Sequence, residues 1–150
     1  MSLKDLTNAL NAIAAKQPAV GTVIENDVFR LNGIPDAKYG VFAWTQGRHR
    51  VDLLSGLQTL NFYLYYVDRV DTADKSEIDA QSTGIDVLTN IVRAVVNKFD
   101  LDLSGDLVFQ PFIQEKAVAG KGFKDDCAGV YVEVGFMTDA YEGCEDEFDN

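Results

Sequence analysis

The chain has 150 residues, of which 47% are hydrophobic, and it carries a formal net charge of −11 with a sequence pI near 4.3. This length and apolar content predict one domain with one core. The negative charge disfavours nucleic acid and anionic membranes as partners, because binding phosphates takes clusters of Lys and Arg. The one compact basic group, Arg48-His49-Arg50, is too small for such a surface. The excess acid indicates either solubility or a docking surface for a basic partner.

The cysteines and the start of the chain indicate a reducing compartment. Cys127 and Cys144 have neither metal-ligand spacing nor the spacing of a C-x-x-C pair, so we expect thiols. The residues after Met1 lack the apolar core of a signal peptide, and no apolar run approaches the roughly 18–20 residues of a membrane span. We therefore expect a cytoplasmic protein with no membrane partner.

The first predicted element is a helix from Leu3 to Gln17, because its apolar residues recur at three- and four-residue spacing. Ser2 is suited to cap it, and Pro18 to end it. Short extended segments follow, separated by glycine and proline turn signals: Val20 to Glu25, Val28 to Leu31, and Tyr39 to Thr45 with Phe42 and Trp44 on one face. Arg48 to Leu54 is compatible with a short strand or a loop.

The clearest strand runs from Leu57 to Asp68 and alternates apolar residues on one side with Tyr63 and Tyr65 on the other. Aromatic residues on both sides are typical of a strand that is central in its sheet and covered on both faces. The alternative is that Tyr63 and Tyr65 project onto a surface that a neighbouring subunit covers, since tyrosine is a frequent interface anchor.

The second half of the chain predicts a helix that opens at Ser76 and Glu77, followed by two strands. The apolar residues that we expect on one face of this helix are Ile78, Ile85, Leu88, Val92, Val95 and Phe99. Gly84 within it indicates either close packing against a neighbour or a break. Asp100 to Gly105 is predicted to form turns that follow the second helix. The strand from Leu107 to Ile113 contains Pro111, which favours an edge position or a bulge, and the strand from Gly129 to Thr138 alternates regularly.

Strands and helices in this order predict an α+β fold, in which the N-terminal helix and the second helix pack against a mostly antiparallel sheet. We expect a single domain over residues 1–138 and a flexible acidic tail over residues 139–150, which hold an excess of Asp and Glu. The loop from Gln114 to Asp126 is long for a compact domain and is a candidate partner-ordered loop. The candidate partner interface comprises Tyr63, Tyr65, Lys116, Lys121, Phe123 and Lys124.

The common catalytic and ligand-binding motifs are missing from the sequence. His49 is the single histidine, no G-x-S-x-G or phosphate-binding loop occurs, and we expect His49 to be an exposed loop residue. Asp68, Asp71 and Asp74 lack the spacing of an EF-hand loop. The acidic neighbours of Cys127 disfavour a thiolate, so we expect it to be a buried or half-buried residue at the start of a strand. We therefore predict no enzyme, no catalytic or metal site and no cofactor.

Three segments carry a resemblance to known sequences. Leu64 to Arg69, Ile78 to Ser82 and Ile85 to Ile91 resemble uncharacterised proteins from phages and prophages of gut Bacteroides-type bacteria. The order of predicted elements resembles that of phage tail terminator and tail-completion (head–tail joining) proteins. This resemblance implies a virion structural protein without a catalytic motif, made in the bacterial cytoplasm and then held in the virion. Its expected partners are other copies of itself, in a ring at the end of the tail tube, and neighbouring phage structural proteins.

The alternative is a monomeric protein-binding module. Such a protein would be a tail-assembly helper or a regulator that docks a basic partner through its acidic surface.

Overall fold

A computed structural model of the protein describes residues 1–33, 38–70, 76–114 and 126–139. Within these ranges, two α-helices pack against a mostly antiparallel sheet of seven strands, which confirms the predicted α+β class. The elements are α1 (Leu3–Ala15), β1 (Thr22–Glu25), a 3₁₀ helix (Val28–Gly33), β2 (Val41–Gln46), β3 (Arg50–Val51), β4 (Leu57–Arg69), α2 (Glu77–Phe99), β5 (Asp102–Leu103), β6 (Phe109–Gln114) and β7 (Cys127–Asp139). Neither helix is long and apolar enough to cross a membrane.

Strands β4 and β7 form the centre of the sheet and pair antiparallel over their full 13 residues, from Leu57 opposite Asp139 to Arg69 opposite Cys127. Two shorter strands lie in line along each outer edge of this pair. The outer edge of β4 holds β2 and β3, and the outer edge of β7 holds β6 and β5. Strand β1 extends the sheet by pairing parallel to β2. The prediction that the Leu57 strand is central is confirmed.

Both helices begin with the same local device. The Ser2 hydroxyl accepts a hydrogen bond from the Asp5 amide while the Asp5 carboxylate accepts one from the Ser2 amide, and Ser76 and Asp79 repeat this pattern at α2. Such a capping box satisfies two backbone donors that the first turn of a helix leaves unpaired. The predicted Ser2 cap is confirmed, and α1 ends at Ala15, two residues before the predicted end.

The main core lies between the helices and one face of the sheet. The sheet contributes the alternating residues Phe42, Trp44, Leu60, Phe62, Leu64, Tyr66, Val130, Val132, Val134 and Phe136. Gly84 of α2 packs directly on this face: a Cβ there would lie 2.7 Å from Val130 Cγ2 and 2.9 Å from Tyr66 Cδ1. Gly84 therefore marks close packing and does not interrupt the helix.

The apolar face predicted for α2 is partly wrong. Ile78 and Ile85 are exposed, with 72% and 40% of their surface accessible, whereas Ala80 and Gly84 are buried. The small residues allow the helix axis to approach the sheet, and this orientation turns the two isoleucines outward. Close approach of the backbone thus outweighs the burial of larger side chains at the start of the helix.

The extended segment predicted from Val28 to Leu31 is also wrong, because Val28–Gly33 forms a 3₁₀ helix. Three residues per turn place Val28 and Leu31 on the same side, where both are buried against the second face of the sheet. The segment Asp100 to Gly105, predicted as turns, contains the two-residue strand β5. The edge position predicted for Pro111 is confirmed, since β6 pairs only with β7 among the described strands.

Candidate interaction surface

Among the described residues, the 3₁₀ helix packs on one end of the second face of the sheet. It packs there over a small apolar cluster: Ile24, Val28, Leu31, Val41, Ala43, Val67 and Cys127. Tyr65 and Phe112 pack against this cluster, Tyr63 and Tyr131 belong to the same face, and all four side chains are half-buried. We call these four aromatic residues, with the exposed Gln110 and Glu133, the open face. The interpretation that the central strand is covered on both sides is confirmed around Val67.

Three rings of the open face form a row across three strands. The centroids of Tyr65 and Tyr131, which lie directly opposite each other in β4 and β7, are 5.5 Å apart. The centroids of Phe112 in β6 and Tyr131 are 6.4 Å apart. Phe112 lies over Gly129, its ring atom Cζ 3.1 Å from the position that a Cβ would take. Such aromatic contacts across strands stabilise a sheet, and the three residues remain half-buried on this face.

The two tyrosines proposed from the sequence both belong to this surface. Tyr63 and Tyr65 are two residues apart in β4 and therefore point to the same side. Burial raises the pKa of the Tyr65 hydroxyl, and a hydrogen bond with Thr45 opposes that shift. Tyr65 packs beside Tyr131, while Tyr63 lies beside a groove.

This groove has a volume of about 570 Å³ and opens where the outer edge of β7 passes from β6 to β5. The loop of residues 104–108 forms one wall, in which Val108 is 66% exposed. The polar side chains that line the groove are Asn61, Ser104, Asp106, Gln110 and Glu133. Gly135 lies beneath, because the side chains of Asn61 and Ser104 occupy the space that its own side chain would need. Exposed carboxylates beside apolar walls suit the basic and apolar side chains of another protein.

A second exposed apolar feature is the hairpin that connects β3 to β4. At its tip, Leu53 is 78% exposed and Leu54 is 100% exposed, and we call these two residues the leucine tip. The turn is closed by backbone hydrogen bonds from the Asp52 amide to the Leu57 carbonyl and from the Gly56 amide to the Asp52 carbonyl, both at 2.8 Å. Gly56 has a φ of 74°, which favours glycine at this position.

The Asp52 side chain holds the leucine tip in place. Its Oδ1 accepts hydrogen bonds from the backbone amides of Ser55 (3.3 Å) and Leu54 (2.9 Å). These bonds keep the pKa of the Asp52 carboxyl below its usual value, so it is ionised at neutral pH. The apolar tip is therefore presented in a fixed conformation, with the exposed Arg48 and Arg50 at its base.

His49 joins the strands that lie in line along β4. Its Nδ1 accepts a hydrogen bond from the Asn61 amide at 3.1 Å, and its Nε2 lies 2.9 Å from Gln46 Oε1. The Asn61 side chain in turn donates to the Arg48 carbonyl. The ring is half-buried, with its centroid 5.6 Å from that of Phe62. The prediction of an exposed loop residue is therefore right about the loop and wrong about the exposure, because the imidazole replaces a strand acceptor in the gap between β2 and β3.

The other residues considered from the sequence take structural positions or lie outside the described residues. Cys127 is buried at the first position of β7, as predicted. Asp68 is buried and accepts hydrogen bonds from the Arg69 amide and the Tyr66 hydroxyl. No group of three or more His, Cys, Asp or Glu side chains in the described ranges is arranged to hold a metal. Outside those ranges lie Asp71, Asp74, Lys116, Lys121, Phe123, Lys124 and Cys144, with nearly all of the predicted long loop and the acidic tail.

Sequence reasoning missed the leucine tip, Tyr131 and the groove. The segment Asp52-Leu53-Leu54-Ser55-Gly56 did contain a usable signal, since Asp, Ser and Gly together favour a tight surface turn. Two leucines inside such a turn cannot reach the core. Tyr131 and the groove had no comparable signal, because they depend on which part of the sheet face the 3₁₀ helix covers.

No protein-family model matches the sequence, and a comparison with curated proteins found no match.

Proposed function

We propose that the protein is a non-enzymatic structural subunit, resembling a phage tail terminator or head–tail connector, which acts through self-association and contact with neighbouring tail or neck proteins. The observation that carries this proposal is the leucine tip, in which Leu53 is 78% and Leu54 100% exposed, together with the half-buried aromatic row Tyr65–Tyr131–Phe112. Surfaces of this kind, rimmed by polar residues, are typical of sites where another protein binds.

Three further features support an assembly role. The groove is lined by exposed carboxylates, amides and tyrosine rings, with neither histidine nor cysteine among its residues. Both ring nitrogens of the single histidine, His49, have hydrogen-bond partners in the structure, because the imidazole bridges the gap between β2 and β3. The observed order of elements, with a leading helix, strands, a second helix and closing strands, is the order on which the resemblance to tail terminators rests.

Self-association and binding to tail-tube protein test the proposal. Light scattering coupled to gel filtration, run across a wide range of protein concentrations, is expected to show a species larger than the monomer, either alone or after addition of the tail-tube protein from the same phage. A strict monomer that ignores the tail-tube protein would contradict it. Electron microscopy of the assembled species then distinguishes a ring from a pair.

A monomer that binds a basic partner would favour the binding-module alternative. Deletion of residues 139–150, with the fold checked by circular dichroism, separates the two functions. The structural subunit is expected to retain self-association without this tail, whereas a module that docks through its acidic end would lose its partner.

A further inference from the structure

We propose that copies of this chain associate head to tail, with the leucine tip of one copy seated in the groove beside the 104–108 loop of the next. The inference rests on the proposed self-association and deepens it by naming the two surfaces that meet. It commits to a second copy of this chain as the occupant of the groove.

The position of the two surfaces in the fold favours this arrangement. The β3–β4 hairpin lies at the outer edge of β4, and the groove opens at the outer edge of β7. The hairpin and the 104–108 wall of the groove lie on opposite sides of the central β4–β7 pair, and Asn61 and Tyr63 of β4 line the groove between them. A contact between two different patches is heterologous, and repeating it produces a closed ring or an open filament.

The chemistry of the two surfaces is complementary. The hairpin carries two exposed arginines, Arg48 and Arg50, behind the leucine tip. The groove carries the exposed carboxylates Asp106 and Glu133, and its lining mixes polar side chains with the apolar Leu107 and Val108. In a chain with a net charge of −11, a local basic group meeting a local acidic group offsets the repulsion between copies at the point of contact.

Both surfaces are ordered before they meet. Asp52 fixes the turn that presents the leucine tip, and Gly135, with Asn61 and Ser104 packed over it, fixes the floor of the groove. A preformed contact loses little conformational entropy on association, which favours binding for a given apolar area. The leucine tip is also the most exposed apolar feature among the described residues, so it gains the most from being covered.

A set of variants tests the contact. The hairpin variant is Leu53→Asp with Leu54→Asp, and the groove variant is Asp106→Lys with Glu133→Lys. All four positions are exposed, so both variants are expected to fold, which circular dichroism and urea unfolding check. The matched controls are Ile78→Asp and Asp86→Lys, which make the same chemical changes at exposed positions on α2. We expect each test variant to raise the Kd of self-association by about tenfold or more, and the controls to leave it unchanged.

Mixing the two variants gives the decisive measurement. The hairpin variant keeps an intact groove, and the groove variant keeps an intact hairpin, so an equal mixture is expected to form a heterodimer and nothing larger. Native mass spectrometry identifies that species by its mass. If the wild-type chain assembles only on tail-tube protein, the same variants and mixture are compared in that assembled state.

The outcomes separate this inference from the proposed function. A wild-type chain that does not self-associate under any of these conditions would contradict both. Self-association that both test variants leave unchanged would overturn the hairpin-in-groove contact and leave the structural role standing. Two variants that are each monomeric and still fail to pair when mixed would also overturn it, since that result points to a symmetric contact between identical patches.

Discussion

At the scale of single residues, His49 is the clearest case of a reactive side chain used for structure. The gap between β2 and β3 leaves the Asn61 amide without a strand carbonyl, and the imidazole Nδ1 takes that place at 3.1 Å. The tautomer that satisfies this bond carries its proton on Nε2, where Gln46 Oε1 accepts it at 2.9 Å. Both ring nitrogens therefore have a part in holding the two in-line strands along β4.

We expect His49→Ala to lower the free energy of unfolding by about 1–3 kcal/mol, because it leaves a partly buried backbone donor unpaired and removes the ring that packs on Phe62. Urea unfolding followed by circular dichroism measures the change. The matched control is Arg48→Ala, which retains the backbone carbonyl that accepts from Asn61 and is expected to stay within about 0.5 kcal/mol of wild type. Equal stability of His49→Ala and wild type would contradict the role described.

Tyr66 predicts a dependence of stability on alkaline pH. Burial, followed by the Asp68 carboxylate beside it, raises the pKa of the Tyr66 hydroxyl well above its ordinary value of 10.0. Above about pH 10 this tyrosine ionises in the unfolded chain and lowers the free energy of the unfolded state, while in the folded chain it stays neutral. The folded state is therefore favoured fully below that pH and loses stability as the pH rises.

Tyr66→Phe removes this titration. We expect the variant to be less stable than wild type at neutral pH, because the hydrogen bond from the hydroxyl to Asp68 is lost. We also expect its stability to fall less steeply between about pH 9 and 11. Urea midpoints measured across that range give both quantities. If the stability of the two proteins fell equally with pH, ionisation of Tyr66 would not contribute to the loss of stability at alkaline pH.

At the scale of elements, the sequence predicted the helices and strands that depend on patterns within a few neighbouring residues. The alternation around Leu60 and Tyr66 identified the central strand, and Ser2 identified the start of α1, because both signals lie within a few neighbouring residues. The 3₁₀ helix was missed because Val28 and Phe29 are of residue types typical of strands. The three-residue spacing of Val28 and Leu31 indicates a helix only once both are known to be buried on one side. The exposure of Ile78 depends on how closely Gly84 approaches the sheet, which no local pattern reports.

Gly84 offers a test of that close approach. Alanine favours a helix over glycine by about 1 kcal/mol, but at this position its Cβ would lie 2.7 Å from Val130 Cγ2 and 2.9 Å from Tyr66 Cδ1. Overpacking of this kind costs roughly 1–3 kcal/mol. We therefore expect Gly84→Ala to lower the urea midpoint despite its better helix propensity.

The control for Gly84 is Ser82→Ala, an exposed position in the same helix where the change to alanine meets no neighbour across the core. It is expected to leave stability unchanged or slightly raised. The double variant Gly84→Ala with Val130→Ala removes the shorter of the two contacts, so we expect it to show less than the sum of the two single losses. Additive losses, or a stabilised Gly84→Ala, would contradict close packing at this point.

At the scale of the whole molecule, only part of the candidate interaction surface could be predicted from the sequence. Tyr63 and Tyr65 were identified because they alternate with core residues along one strand. The leucine tip and the groove emerge only from the assembled sheet, since their exposure depends on where β3, β5 and the 3₁₀ helix end. A pattern in one element shows which side chains leave the core, and the arrangement of all elements decides which of them remain uncovered.

The same arrangement predicts how hydrogen exchange is distributed over the molecule. Strands β4 and β7 are paired on both edges over much of their length, so their central amides open only with global unfolding. Among the described strands, the two-residue strands β3 and β5 each pair along one edge only, so the amides on their other edge exchange with solvent without opening of the sheet. Exchange measured by mass spectrometry on dilute protein is therefore expected to be slowest in residues 62–67 and 128–134, and much faster in residues 50–57 and 102–108.

Raising the protein concentration should change this pattern at two places only. If the leucine tip enters the groove of the next copy, residues 50–57 and 104–108 gain protection together, because each contact covers one segment of each partner. The centre of the sheet already exchanges at its slowest and should not change. Protection that increases in one of the two segments alone would contradict the head-to-tail contact, and protection that appears on α2 around Ile78 would place the interface on the opposite face of the sheet.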